Sequence, residues 1–249
     1  MKYGMTFMLA DEGMALFMYG RYKEAIDAFD RALAARPDDV AAMLGKATAL
    51  DRIGLFADAL PLIEHALDLE PMNLDAWFLQ GSIYHRRGDL AEARECIRHV
   101  LDGDPGHLEA WFILGNCHFY QQEYPEALEC YERILAIDDR YTKAWYNKGV
   151  ILTEQGRNGA AIRCYDQVIA LNPGVAMVYT NKGYCYAQMG LYERALECFD
   201  IALGINPDDI TALHNKAAAL KQLGRDGEAS QIMDRVMKRT DGHGPYSVI

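Results

Sequence analysis

Residues 176–209 read AMVYTNKGYCYAQMGLYERALECFDIALGINPDD, and this stretch decides the fold. Tyr179, Gly183 and Tyr186 recur three or four apart, and so do Ala195, Phe199 and Ala202. Such spacing puts each set on one face of a helix. Between the sets stands Gly190, suited to a helix C-terminus because glycine adopts the left-handed conformation at least cost. Pro207 closes the segment; proline ends a helix and restrains the residue before it. The stretch is a helix, a turn and a second, antiparallel helix. One such pair cannot bury both of its faces, so like units must stack against it.

The stacking units lie in the same chain. Pro37, Pro71 and Pro105 are 34 apart, as are Pro173 and Pro207, and Asp139 and Asp241 keep the register where no proline stands. With that position numbered 32, seven repeats begin at residues 6, 40, 74, 108, 142, 176 and 210. Position 20 is Ala in all seven (Ala25, Ala59, Ala93, Ala127, Ala161, Ala195, Ala229). Position 8 is Gly or Ala throughout, and position 15 is Gly except at Gln122. Small residues at 8 and 20 let the two helices approach closely. Pro61, at position 22, removes a backbone donor early in a second helix, whereas Pro125, at position 18, falls at a helix start. The second helix of repeat 7 is more polar, with Ser230 at a mostly apolar position and Arg239 where Leu69, Ile137, Leu171 and Ile205 stand in earlier repeats, and reads as a solvated cap.

This pattern resembles the tetratricopeptide repeat, a 34-residue helical hairpin with Trp-Leu-Gly-Tyr and Ala-Phe-Ala-Pro signatures. Repeat 3 carries Trp77, Gly81, Tyr84, Ala93 and Pro105, and repeat 6 carries Tyr179, Gly183, Tyr186, Ala195, Phe199, Ala202 and Pro207. The resemblance implies an all-α fold, a right-handed α-solenoid superhelix of seven hairpins forming a single domain over residues 6–243, with 244–249 as a short tail. Seven repeats imply close to one superhelical turn. The residues outside the repeats are too few for a separate catalytic domain, so the expectation is a non-catalytic protein.

Composition narrows the partners. Apolar residues make up 51% of the 249 and the formal net charge is −11, enough for a substantial core and opposed to nucleic acid or an anionic membrane surface as partner. Every apolar run is interrupted before it could span a bilayer. The opening MKYGMTFMLADEGM is broken by Asp11 and Glu12 before a secretory signal could form. The expected location is the cytoplasm.

In the family, positions 2, 5, 6, 9, 12 and 13 of the first helix tend to line the concave groove, so function is sought there. Repeat 1 presents Phe7, Met14, Phe17 and Met18, with Met1, Met5 and Met8 nearby. These thioethers either cover the first hairpin or adapt to apolar partners, including a second copy of the chain. Repeats 2 and 3 offer Asp51, Arg52, Asp75, His85 and Arg86, either a solvated mixed-charge wall or an anchor for an acidic group with Arg52 and Arg86 as donors. Phe78, Phe112, Phe119, Tyr120, Tyr146 and Tyr184 supply aromatic faces that hold peptide side chains or are themselves partly buried. Asn147, Asn181 and Asn215 share position 6 in consecutive repeats, and Asn116 stands on the same wall. An Asn amide both donates and accepts, and the three in register resemble the asparagine ladder by which some family members hold the main chain of an extended peptide; solvated surface amides are the other reading. The family's carboxylate clamp is matched only at Asn116 and Asn147, with Phe112, Met177 and Asn181 where cations are required, so the chain is not expected to hold an acidic chaperone tail.

The chemistry-bearing residues give no constellation. Six Cys fall at two repeat positions: Cys96, Cys130, Cys164 and Cys198 at 23, Cys117 and Cys185 at 10. Equivalent positions in stacked repeats stand beyond disulfide reach, so these are small packing residues. Cys96 and His99 share a helix face, but no second pair completes a metal site. His118, at a core position, reads as a satisfied interior histidine. The expectation is a scaffold that binds an extended peptide or partner helix in its groove, with self-association through the Met-rich N-terminal end as the alternative, and with neither cofactor nor metal.

Overall fold

A computed structural model describes the backbone of residues 2–240 and the side chains of residues 9–237. Met1, the side chains of Met5, Phe7, Met8 and Arg239, and the expected tail 244–249 lie outside the described residues. Fourteen helices follow one another, and among the described residues there is no strand. The first helices of the hairpins are α1 (Lys2–Met18), α3 (Val40–Arg52), α5 (Leu74–Arg87), α7 (Leu108–Tyr120), α9 (Thr142–Glu154), α11 (Ala176–Gln188) and α13 (Ile210–Gln222). The second helices are α2 (Tyr22–Ala35), α4 (Phe56–Leu69), α6 (Leu90–Gly103), α8 (Tyr124–Ile137), α10 (Asn158–Leu171), α12 (Tyr192–Ile205) and α14 (Asp226–Thr240). The fold is an all-α repeat solenoid with one hairpin per 34-residue period. The chain forms two compact units, one up to Cys130 and one from Tyr131 onward.

The repeat columns explain the hairpins. All seven position-20 alanines are fully buried. The position-8 glycines face the large side chain at position 24 of the same hairpin: a Cβ on Gly149 would stand 2.7 Å from the Tyr165 ring, and one on Gly183 2.6 Å from Phe199. The small residue at 8 is the seat for the large one at 24, and Phe29, Ile97, Tyr165 and Phe199 are accordingly almost wholly buried. The turn glycines Gly20, Gly54, Gly88, Gly156, Gly190 and Gly224 all take positive φ, and Gln122 adopts the same conformation at φ 60°. The column thus demands a left-handed residue whether or not glycine is present.

Second helices end before the residue preceding proline, and α8 ends at Ile137 in the same way although Asp139 replaces the proline. The next first helix opens with a side-chain cap at position 34: Asp39, Asn73, His107 and Asp209 accept from the backbone amides of Ala42, Ala76, Ala110 and Ala212 at 3.0–3.2 Å. Trp77, Trp111 and Trp145 donate their indole N–H to the carbonyls of Pro71, Pro105 and Asp139 at 2.8–2.9 Å, clasping helix start to loop. Pro61 lies inside α4 without interrupting it, and Pro125 occupies the first turn of α8.

A surface staple joins successive hairpins. Lys at position 7 reaches the acid at position 25 of the preceding repeat in Lys46–Asp30, Lys148–Glu132, Lys182–Asp166 and Lys216–Asp200. Where position 25 is Arg98, the partner position holds Leu114 instead of Lys.

Candidate functional site

In the C-terminal unit α9, α11 and α13 neighbour one another and carry the asparagine column. Asn147 is half-buried, and its Nδ2 donates to the Tyr131 hydroxyl at 3.2 Å. Asn181 does the same one repeat later, donating to the Tyr146 hydroxyl at 3.1 Å. These two amides therefore hold tyrosines, a use not visible in the column itself. Burial pushes the Tyr146 phenol above its ordinary pKa, and the bond from Asn181 offsets part of that. Tyr146 packs with its ring centroid 6.3 Å from that of buried Tyr165, so it is chiefly a wall residue. Behind it, the Thr153 hydroxyl meets the Tyr165 hydroxyl at 3.0 Å and the Cys185 thiol at 3.3 Å.

Asn215 and Tyr184 have a different setting. They open on a pocket of about 330 Å³ completed by Gln188, Gln222 and Tyr192, with Ala218 and Ala219 leaving it room. Its lining carries phenols and amides and no charged group. Such a surface can donate to a carbonyl and accept from an N–H, but has nothing to neutralise an ion. It suits main chain or an uncharged side chain. Gln188, Gln222 and Tyr192 were not among the sequence candidates; Gln188 and Gln222 share position 13, so a column of amides was the available signal.

The N-terminal unit holds the remaining candidates. Arg86 is not a free cation: its guanidinium pairs with Asp51, which is almost wholly buried, and lies 5.5 Å over the Phe56 ring. A ligand that anchors on Arg86 would therefore share it with a buried carboxylate. Arg52, one residue along α3 from Asp51, is exposed. Phe78 is half-buried, its ring 4.6 Å from that of His107, and packs on the core around Ile97 and Leu114. Phe112 and Asn116 are half-buried on α7. Phe119 packs on Tyr120 and Tyr124, while Tyr120 stands 65% exposed at the end of α7. The aromatic stripe thus divides into wall residues and two exposed phenols, Tyr120 and Tyr184.

A second cleft, of about 390 Å³, lies over α1, α3 and the start of α5, with Met14, Phe17, Val40 and Leu44 in its walls and Glu70 and Asp75 beside them. Met14 and Phe17 stood among the sequence candidates and Glu70 did not; Glu70 sits at position 31, outside the columns expected to face the groove.

The reactive side chains are engaged in packing. His118 Nδ1 meets Glu123, which also takes Arg94 at 2.8 Å. The bond to His118, ahead of the charge on Arg94, holds the Glu123 carboxyl below its usual range. All six cysteines are free and buried. Burial pushes Cys96 and Cys130 up to about 12 and Cys117 and Cys198 up to about 11, so they are neutral thiols at physiological pH. Cys96 contacts Gln80 while His99 stacks on Trp77, so the pair turns to different neighbours. No cluster of three His, Cys, Asp or Glu suited to a metal occurs among the described residues, and none of their helices is long and apolar enough to cross a membrane.

Stacked helical hairpins with side chains presented on the first helices define a helical-repeat scaffold for binding other proteins. Family models of the tetratricopeptide repeat match residues 16–83, 142–175 and 176–209, and the model of the anaphase-promoting complex, cyclosome, subunit 3 matches residues 52–134. The chain belongs to the tetratricopeptide repeat family, whose members are in general non-catalytic interaction scaffolds. Among solved structures it is similar to YrrB, described as a TPR protein with an unusual peptide-binding site, with 26% identity, a TM-score of 0.65 and coverage of 77% of this chain and 98% of that one. It is also similar in fold to a tetratricopeptide repeat protein from Parabacteroides merdae (18% identity, TM-score 0.71, covering 97% of this chain and 94% of that one). MamA from Desulfovibrio magneticus is similar in fold as well (18% identity, TM-score 0.66, covering 69% and 97%). No curated protein matches the sequence.

Proposed function

We propose that the chain is a non-catalytic scaffold whose first-helix faces grip an extended peptide of a partner protein. The observation that carries this reading is the uncharged pocket at Tyr184 and Asn215, which offers paired donors and acceptors to main chain and a phenol face to a side chain. The peptide-binding site ascribed to YrrB supports the same use of the fold. In this reading Asn215 contacts main chain, Asn181 contributes its Oδ1, Tyr184 and Tyr120 contact side chains, and Asn147 and Tyr146 keep the wall in shape. The 34-residue register runs unbroken from Pro105 through Asp139 to Pro173, which supports one continuous array over residues 6–243. Six free thiols fit the reducing cytoplasm as its place of work.

Selection of a displayed random 12-residue peptide library on the full chain tests the reading. Enriched peptides should bind in calorimetry, and the double variant Tyr184→Ala, Asn215→Ala should bind them at least about tenfold more weakly with an unchanged melting curve. Failure to enrich any peptide, or equal affinity for the double variant, would overturn it.

A second reading has one observation behind it. Met18 and Tyr19 are 81% and 83% exposed at the end of α1, a surface through which two copies could associate. Light scattering over a concentration series should then show a dimer that Met18→Ser, Tyr19→Ser abolishes; a strict monomer counts against it.

A further inference from the structure

The cleft of the N-terminal unit differs in chemistry from the neutral pocket at Tyr184. Met14 and Phe17 from α1 and Val40 and Leu44 from α3 give it apolar walls. Gly45, at position 6 where repeats 5 to 7 carry Asn, lines it as bare backbone. The glycine is also required from behind, since a Cβ there would stand 2.5 Å from the Phe29 ring. Thr48, the next lining residue along α3, has its hydroxyl committed to the Leu44 carbonyl at 2.7 Å. The walls therefore offer apolar contact and little hydrogen bonding. One side of the cleft is charged: Glu70 and Asp75 are exposed, and no ion pair is formed by either among the described residues. Glu70 accepts from the Asn73 amide at 2.7 Å, which fixes its carboxylate at the rim without neutralising it.

An apolar recess with two carboxylates on its edge, neither in an ion pair among the described residues, is complementary to an apolar side chain that has a cation beside it. We propose that this cleft takes a large apolar side chain of a partner peptide, with the Lys or Arg next to it in sequence lying against Glu70 and Asp75. This rests on the peptide-scaffold reading above and adds what that reading lacks, the sequence preference of one end of the site. The carboxylates supply selectivity and on-rate, and the apolar recess supplies most of the affinity.

The test compares two selections from the same displayed 12-residue library, one on the full chain and one on Glu70→Gln, Asp75→Asn, which keeps size and hydrogen-bonding capacity. Peptides from the first should be enriched in an apolar residue adjacent to Lys or Arg. Those from the second should keep the apolar residue and lose the basic one. A peptide from the first should bind the variant about tenfold more weakly, with the difference shrinking as salt is raised. Met14→Glu, on the apolar wall, should weaken the same peptide while leaving the melting curve unchanged. Peptides enriched without a basic neighbour, or with identical preferences from both proteins, would overturn the inference while leaving the scaffold reading standing. No enriched peptide from either protein would overturn both.

Discussion

Gln122 is the residue at which sequence and backbone disagree most sharply. It occupies the turn position where six other repeats place glycine, and it takes φ 60° all the same. A side chain in the left-handed region costs about 1 kcal/mol relative to glycine. Gln122→Gly should therefore raise the stability measured by urea unfolding by about that amount, and an unchanged or lower midpoint would show that the turn gains something from the glutamine. The opposite change at position 8 should be harsher. Gly183→Val drives a branched side chain into the space of the Phe199 ring, and overpacking of that kind costs about 1–3 kcal/mol; a variant of native stability would mean that the pair at 8 and 24 is not the seat described.

The buried thiols add a pH dependence at the same scale. Cys96 and Cys130, pushed up to about 12, and Cys117 and Cys198, pushed up to about 11, resist ionisation in the folded state. The unfolded thiols ionise near their ordinary value of about 8.5. The stabilisation is thus complete below that value and is lost as pH rises through it toward 11 or 12. Denaturant midpoints should fall between about pH 9 and 11, and Cys→Ala at positions 96 and 130 should flatten the fall. Ellman's reagent at pH 8 should label the native protein slowly and the unfolded protein at once; rapid labelling of six thiols in the native state would contradict the burial.

At the scale of elements, the hairpins were legible because their causes are local. A left-handed turn, a proline stop and a helical apolar period each act within one repeat, so a column of identical residues reports them directly. Contacts between repeats were harder to read. The Lys staple needs position 7 of one repeat beside position 25 of the one before, and only the paired absence at Arg98 and Leu114 hints at it. Likewise Asn181 could be read as a rung, but its use in holding Tyr146 depends on the stacking of α9 and α11. Arg86 looked like a donor for a ligand because its partner Asp51 lies on the preceding first helix. The staples themselves are exposed and weak: Lys148→Met should cost no more than about 1 kcal/mol, less in high salt. A double-mutant cycle at Lys182 and Asp166 should give a coupling of a few tenths to about 1 kcal/mol, and zero coupling would make the recurring pairs incidental.

For the whole molecule, the proposed function requires that the hairpins display their first helices to another protein. The second helices fill the stack with the buried alanines and the rings at position 24; Tyr120, Tyr184 and Met177 are exposed on first helices, and Leu69, Ile137, Ile201 and Ile205 on second ones. A peptide from the display selection, resynthesised with a photoreactive benzoylphenylalanine at each position in turn, tests this most directly. Irradiation and mass spectrometry should place the adducts on α1, α3 and α5 or on α11 and α13, with Tyr184, Asn215 and the Met14 cleft among the labelled neighbourhoods. Adducts confined to the second helices, the even-numbered ones, would contradict the claim that the first-helix faces are where this protein meets its partner.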